Sequence, residues 1–214
     1  MGNYKVNSGV ASTVAKTNFD IAYDATDIIE GGWVNNSLDR GGETWAGISR
    51  KWFPNWPGWK IIDRLKSDKT FPKNLTGNAE LQMLKKQFYN MEFWNSLRLG
   101  EVKRIDIASK IYDMAVNMGK VTAVKYLQTA LNLLNDRQRL YKDLPVTGKL
   151  LDMTLAAINK HPRPDNLFKA LNVLQGSHYL EMGKNSESQE AFMNGWFSQR
   201  IASVADPDQH SDMA

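Results

Sequence analysis

The sequence contains no cysteine and only three histidines. Without cysteine the chain can form neither disulfides nor thiolate metal sites, so its fold rests on packing, as is usual for proteins made in a reducing cytoplasm. The histidines, His161, His178 and His210, lack the His-x-x-x-His and His-Glu-x-x-His spacings of zinc hydrolases. We therefore expect no metal ion and no other cofactor.

Several other functional motifs are missing as well. No serine stands in a Gly-x-Ser-x-Gly elbow, and no glycine-rich phosphate-binding loop occurs. Lysines and arginines are scattered rather than clustered, so we expect no nucleic-acid partner. No apolar run approaches the roughly 20 residues of a membrane helix, and residues 1–17 contain no apolar signal-peptide core. We therefore expect no stable membrane insertion and no signal peptide.

The composition is that of a globular protein. Its 214 residues are 42% hydrophobic, which is enough for one large domain or two small ones. The formal net charge of +4 is mildly basic, and a basic protein is attracted to anionic surfaces such as a bacterial envelope. We expect the chain to be a monomer.

Residues 19–48 have the pattern of a helix followed by a β-hairpin. Apolar or small side chains recur at three- and four-residue steps, the period of one helix face, and a glycine pair then stops the helix. These positions are Phe19, Ala22, Tyr23, Thr26 and Ile29, followed by Gly31 and Gly32. Glu30 is therefore predicted on the last helical turn. Beyond it, Trp33-Val34 and Thr44-Trp45 flank a polar turn, as the two strands of a hairpin do.

Two carboxylates in this segment are predicted to have different environments. Glu30 would face the negative end of the helix dipole, but that effect is only about 0.3–1 kcal/mol, less than the roughly 1.4 kcal/mol of one pKa unit. Burial against Trp33 would therefore have to raise the pKa of Glu30 toward about 6. Asp39, beside Arg40 in a polar turn, should stay ionised. Such a pair suits the acid and base of a glycosidase, although a helix cap and an ordinary turn would give the same residues.

The order of the acidic and hydroxyl residues in this segment resembles that of a known enzyme family. Glu30, Asp39 and Thr44, followed by Gly47-Ile48, resemble the Glu, Asp, Thr constellation of phage-type lysozymes. There a helix-end Glu is the general acid, and Asp and Thr position a water molecule. The spacing from Asp39 to Thr44 is one residue shorter than in that pattern.

A closer resemblance is to glycoside hydrolase family 108, the N-acetylmuramidases with a Glu-Gly-Gly-Tyr signature. It rests on Glu-Gly-Gly-Trp at 30–33, Asp-Arg-Gly-Gly-Glu-Thr at 39–44 and Gly-Ile-Ser at 47–49. Trp33 replaces the usual Tyr. The resemblance implies a mainly α (α+β), lysozyme-like fold with a small β-hairpin after the first helix. It also implies Glu30 as the catalytic acid, with Asp39 stabilising charge or activating water and Thr44 orienting that water.

Aromatic and amide side chains supply the candidates for substrate binding. Five of the seven tryptophans lie between positions 33 and 59, as in a sugar-stacking platform or in a core beneath a loop. We predict that Trp33 or Trp45 contacts substrate and that Trp52, Trp56 and Trp59 pack.

Two further segments resemble the family. Tyr89 and Trp94 resemble the Tyr and Trp pair that the family has at a helix end, and both are candidates for substrate binding in the groove. Phe88 and Phe93 are expected in the aromatic core. Asp-Met-Ala-Val-Asn-Met-Gly at 113–119 resembles the family's Asp-x-x-Val-Asn-x-Gly. Asn117 is predicted to hydrogen-bond an acetamido or hydroxyl group, or else to cap the helix.

The second half resembles the helical peptidoglycan-binding module found after family 108 catalytic domains. The similar segments are Leu-Gln-x-x-Leu-Asn at 127–132, residues 143–149, and Gly-Trp-Phe-Ser-Gln-Arg at 195–200. Helical spacing predicts helices over 60–66, from an N-cap at Thr76, and over 106–118, 121–134, 150–159 and 165–179. A final segment covers 189–204. We divide the chain into a flexible N-terminus (1–17), a muramidase domain (18–105), a peptidoglycan-binding half packed on it (106–204) and a flexible tail (205–214).

The resemblance implies a lysozyme that cleaves the β-1,4 bond between N-acetylmuramic acid and N-acetylglucosamine, with bacterial peptidoglycan as partner. We expect a bacteriolytic, antimicrobial endolysin of phage lysis, made in the host cytoplasm and acting on the periplasmic or cell-wall peptidoglycan after release. A bacterial enzyme that loosens the wall for secretion is the alternative setting. A lytic transglycosylase and a non-catalytic wall-binding module are the alternative functions.

Overall fold

A computed structural model describes residues 15–26, 32–35 and 42–201 of the chain. Glu30 and Asp39 lie outside the described residues, as does the predicted last turn of the first helix. Most of the predicted N-terminal segment and all of the predicted tail also lie outside them.

The described residues form a mainly α structure with one small sheet. The helices are α1 (Asn18–Thr26), α2 (Gly58–Leu65), α3 (Ala79–Tyr89), α4 (Ile105–Met118), α5 (Lys120–Leu133), α6 (Asp152–Lys160), α7 (Pro164–Asn185), α8 (Glu187–Glu190) and α9 (Met193–Arg200). Short 3₁₀ turns lie at Lys73–Leu75 and Leu99–Glu101, and a π-helix at Asn90–Asn95. The strands are β1 (Val34–Asn35), β2 (Glu43–Trp45) and β3 (Ile48–Ser49). The predicted mainly α, lysozyme-like fold is confirmed.

The sheet extends the predicted hairpin by one strand. β1 and β2 pair antiparallel with Val34 opposite Thr44, and β3 adds to the other side of β2. The β2–β3 connection is the two-residue turn Ala46-Gly47, with φ of 47° and 78°. Positive φ at both central residues is what a type I′ hairpin turn requires. A third strand of only two residues is too short to show as a sequence pattern.

Helix α4 lies at the centre of the molecule. It packs against α1 on one side and against α5 and α7 on others, and every residue from Asp106 to Ala115 is buried. One hydrophobic core extends around it from Phe19 to Leu171. Because α4 is enclosed, its polar side chains are buried together with its apolar ones and need partners in the interior.

Two local predictions on α3 are wrong. The cap is Asn78, whose side chain accepts a 2.9 Å hydrogen bond from the Leu81 amide, whereas Thr76 lies just after the 3₁₀ turn. The three- and four-residue spacing of Leu81, Leu84, Phe88 and Met91 predicts that all four share one helix face, but Met91 is 67% exposed. The π-helix that follows Tyr89 has i→i+5 hydrogen bonds, which shift the phase of the helix and turn Met91 outward.

Candidate active site

The two faces of the small sheet separate the predicted site residues. Successive side chains of a strand point to opposite faces, and directly paired residues share a face. Trp45 pairs with Ile48 on the core side, so Thr44 lies on the other face with Val34 and Ser49. Thr44 is half-buried, and its hydroxyl donates a 3.3 Å hydrogen bond to the Gly42 carbonyl. Thr44 and Trp45 therefore face different surroundings.

Trp33 is held in one orientation by three contacts. Its indole N–H donates a 2.9 Å hydrogen bond to Glu43 Oε1. The Phe71 ring meets it edge-on at 4.8 Å between centroids, and the Lys66 ammonium lies 6.0 Å from its ring centroid. A half-buried aromatic ring fixed in this way is preorganised for stacking against a ligand.

Glu43 is a site residue that sequence reasoning missed. Its carboxylate pairs with Arg50 at 2.8 Å and with Lys66 at 2.7 Å, and both cations also pair with Asp63. Burial by itself raises the pKa of Glu43, but hydrogen bonds from Lys66, Trp33 and Arg50 lower this pKa below its ordinary value. Glu43 is therefore ionised at neutral pH and anchors Trp33. An acidic residue two positions from buried Trp45, on the same strand face, is the signal that could have found it.

A cleft of about 380 Å³ opens beside Trp33. Its lining consists of Gly32, Trp33, Trp45, Ala46, Pro72, Lys73, Thr76, Gln82 and Lys85. Both tryptophans predicted to contact substrate thus border the same cleft. Trp45 is only 4% exposed and stacks on Trp56 at 5.9 Å between centroids, so most of its ring belongs to the core. Lys73 and Lys85 give the cleft a basic character.

A second cavity of about 200 Å³ lies across the Ala46-Gly47 turn. Its lining consists of Ala46, Gly47, Phe53, Phe88, Tyr89, Phe93, Val116 and Asn117. Tyr89 donates a 2.9 Å hydrogen bond to the Ala46 carbonyl, and burial raises the pKa of its phenol, so the hydroxyl stays protonated. A Cβ at Gly47 would lie 2.7 Å from that hydroxyl. The turn between the two cavities is therefore fixed onto α3.

The other two residues predicted to bind substrate, Asn117 and Trp94, differ in their access to the cavities. The Asn117 amide nitrogen donates to the Asp113 carbonyl at 2.7 Å and to its carboxylate at 3.0 Å, while the residue lines the second cavity. Trp94 is buried against Phe19 and Tyr112 and lines neither cavity. Substrate contact by these residues stays a prediction.

The prediction that Trp52 packs is wrong. Trp56 and Trp59 are buried as expected, but Trp52 is 67% exposed in the segment between β3 and α2. The Lys51 ammonium lies 5.5 Å from the centroid of its ring. Two prolines and a glycine follow within six residues, so this segment is irregular and turns only some of its tryptophans inward.

Within residues 15–26, 32–35 and 42–201, no group of three or more acidic or histidine side chains could hold a metal ion. None of the helices in the same ranges is long and apolar enough to cross a membrane.

A mainly α fold with a small antiparallel sheet beside an aromatic, basic cleft defines a lysozyme-like protein. Comparison with protein families identifies the class further, because residues 23–119 match the model described as Glycosyl hydrolase 108. Residues 122–201 match a model described as a predicted peptidoglycan domain. The first part of the chain therefore belongs to glycosyl hydrolase family 108, and the protein is a glycosidase that acts on peptidoglycan.

Comparison with solved structures supports the fold. The structure titled "Structure of Brucella abortus SagA" superimposes with a TM-score of 0.53 and 24% sequence identity, covering 87% of this chain and 90% of that one. No curated protein matches the chain significantly. The first family match ends at residue 119, between α4 and α5, and the second begins at residue 122, in the first turn of α5. The sequence-based division falls instead at the start of α4.

Proposed function

We propose that the protein is an N-acetylmuramidase that hydrolyses the β-1,4 bond between N-acetylmuramic acid and N-acetylglucosamine. The observation that carries this proposal is the match of residues 23–119 to family 108, together with the Glu-Gly-Gly-Trp signature at 30–33. The cleft supports it, since an aromatic ring suits a sugar face and lysines attract the carboxylates of the peptidoglycan stem peptides.

Glu30 is the proposed general acid, which protonates the glycosidic oxygen as positive charge develops on the sugar. Gly32 lines the cleft, and the two residues from Gly32 back to Glu30 span at most about 7 Å of chain. In this proposal Asp39 stabilises the developing charge or activates water. Thr44 orients that water, and Trp33 supports a sugar ring.

The test is hydrolysis of purified sacculi by wild type and Glu30→Gln. We expect Glu30→Gln to lower the rate by about 10²-fold or more, because a positioned acid contributes roughly 10²–10⁴-fold. Glu80→Gln, an exposed change in the first turn of α3, is the matched control and should leave the rate unchanged. The products should carry N-acetylmuramic acid at their reducing ends.

The same experiment separates the alternatives. Anhydromuramic ends would identify a lytic transglycosylase, which uses the sugar's own hydroxyl in place of water. Binding to sacculi without any new ends would identify a non-catalytic module. Reducing-end N-acetylglucosamine, or full activity in Glu30→Gln, would contradict the proposed reaction itself.

We propose an endolysin as the biological setting, with the bacterial wall-loosening enzyme as its alternative. The mildly basic charge of the chain fits an anionic cell wall. Expression in bacteria should lyse the cells only when the membrane is permeabilised by a separate pore, since the proposed enzyme is made in the cytoplasm. Lysis without permeabilisation would contradict this setting. We also propose a monomer, which light scattering during gel filtration would test.

A further inference from the structure

A buried polar network lies beneath α1 and uses residues from both halves of the chain. At its centre is Asp113 on α4, which is 2% exposed. Its carboxylate accepts hydrogen bonds from Arg200 at 2.6 Å, from Gln175 at 2.7 Å and from Asn117 at 3.0 Å. Gln175 also donates to the Tyr179 hydroxyl at 2.9 Å. The network therefore joins α4 to α7 and α9.

Arg200 connects this network to α1. One guanidinium nitrogen, Nη1, donates both to Asp113 Oδ1 at 2.6 Å and to the Thr26 carbonyl at 3.1 Å. Thr26 is the last described residue of α1 and lies four positions before Glu30 in the sequence. The Lys110 ammonium donates to the Arg200 carbonyl at 2.8 Å and so fixes the end of α9 as well. A residue near the end of the second half therefore holds the last described residue of the first helix.

Direct contact with substrate cannot be the role of Asp113 and Arg200. Asp113 and Arg200 are 2% and 3% exposed, so a glycan cannot reach either of them. Their ion pair is also a costly way to obtain stability, because desolvating two charges offsets most of their attraction. What the pair does provide is fixed geometry, because one guanidinium nitrogen donates to both α1 and α4.

We propose that Arg200 is a positioning residue for glycan hydrolysis. It holds Thr26, the last described residue of α1 and four positions before Glu30 in the sequence, and through Asp113 it fixes Asn117, which lines the second cavity. This inference rests on the proposed function of Glu30. A displacement of about 1 Å in a catalytic group can cost about 10²-fold in rate. Loss of the hydrogen bond from Arg200 to Thr26 would therefore lower the rate measurably if it let Glu30 shift.

The proposal changes the role of the second half of the chain. Thr26, Lys110 and Asp113 lie in the part that matches family 108, whereas Gln175 and Arg200 lie in the part that matches the peptidoglycan domain. The second half therefore completes the scaffold of the first. Removing α9 should impair turnover even where substrate binding is intact.

The test uses the full chain with the double variant Asp113→Asn/Arg200→Gln. Replacing both members of the pair leaves neither Asp113 nor Arg200 as an unpaired charge, and Lys110 keeps its hydrogen bond to the backbone carbonyl of residue 200, so the variant is expected to fold. Gln128→Leu is the matched control, because Gln128 is equally buried and bonds to Lys149 and Gly148, within the second half. Both proteins are compared with wild type on soluble glycan fragments, at a temperature where circular dichroism shows all three to be folded.

We expect the double variant to lower kcat by about 10- to 100-fold while KM changes little. Amide hydrogen exchange over 18–26 should accelerate in the double variant and stay at the wild-type rate in Gln128→Leu. A folded double variant with wild-type kcat, or with unchanged exchange over 18–26, would overturn the proposal.

The exchange measurement also separates this inference from the proposed function. If wild type cleaves no glycan, or if Glu30→Gln is fully active, the proposed function fails. Exchange over 18–26 would still report whether Arg200 holds α1. Equal loss of kcat in Gln128→Leu would mean that general destabilisation, not positioning, lowers activity, and this too would overturn the proposal.

Discussion

Two mixed-charge clusters tie separate parts of this protein together, and they differ mainly in their access to water. The inner cluster pairs Asp113 with Arg200 at 2% and 3% side-chain exposure. The outer cluster joins Glu43, at 11% side-chain exposure, to three more exposed partners, Arg50, Lys66 and Asp63, at 34%, 33% and 43%. Exposed ion pairs contribute about 0–1 kcal/mol, whereas removing one partner of a buried pair costs about 3–5 kcal/mol. Breaking an ion pair should therefore cost more stability in the inner cluster than in the outer one.

The two clusters also act on different parts of the site. The inner cluster holds the backbone carbonyl of Thr26 in α1, while the outer cluster holds the indole N–H of Trp33. We therefore expect changes in the inner cluster to affect stability and turnover, and changes in the outer cluster to affect mainly substrate binding.

The largest effect should come from breaking the inner pair on one side only. Arg200→Met leaves Asp113 charged and buried without its cation, so we expect a loss of about 3–5 kcal/mol in the free energy of unfolding. Urea denaturation followed by circular dichroism measures it. Asp113→Asn/Arg200→Gln should lose clearly less. Equal losses in the two proteins would mean that the unpaired charge is not the cause.

The second-largest effect on stability should come from an uncharged contact, between Gly47 in the hairpin turn and Tyr89. Gly47→Ala places a Cβ 2.7 Å from the Tyr89 hydroxyl at a φ of 78°, and we expect it to cost about 1–3 kcal/mol. Gly77→Ala is the control, because a Cβ there meets nothing within 4 Å. Adding Tyr89→Phe to Gly47→Ala should recover part of the loss. A Gly47→Ala protein as stable as Gly77→Ala would contradict the contact.

The inner cluster should also make stability depend on pH. Burial lowers the pKa of Lys110 to about 8, with Asp113 opposing the shift and Arg200 adding to it. Between that value and the ordinary 10.5, the unfolded chain keeps a proton that the folded chain has released. Stability should therefore rise from pH 8 to 9.5, by at most about 1.4 kcal/mol per pH unit.

Lys110→Met should remove this rise, whereas Lys69→Met, an exposed change, should keep it. The comparison stays at or below pH 9.5 and uses the difference between wild type and Lys110→Met. Burial raises the pKa of five tyrosines, Tyr23, Tyr89, Tyr112, Tyr141 and Tyr179, while unfolded tyrosines ionise near 10, which gives the opposite slope in both proteins. A wild-type stability that falls between pH 8 and 9.5 would show that Lys110 remains charged in the folded protein.

Local sequence patterns predicted most of the elements but few of the contacts between them. The period of α4 and the strands around Thr44 could be predicted because their pattern lies within about fifteen residues. The bond between Arg200 and Asp113 joins residues 87 positions apart, and no local pattern encodes such a pairing. The π-helix after Tyr89 and the exposure of Trp52 follow from packing around α3 and from an irregular segment, so periodicity missed both.

The smallest effect on stability should come from the outer cluster. Glu43→Ala removes one carboxylate partner of Arg50 and Lys66, but Asp63 still pairs with both of them. We therefore expect a loss of about 1 kcal/mol at most in the free energy of unfolding. It also releases the indole N–H of Trp33, and KM for glycan fragments should rise a few-fold as the ring loses its fixed orientation. Asp63→Ala is the matched control, because Asp63 contacts the same two cations but not Trp33. A KM that rises equally in both variants would mean that charge near the cleft, and not the orientation of Trp33, governs substrate binding.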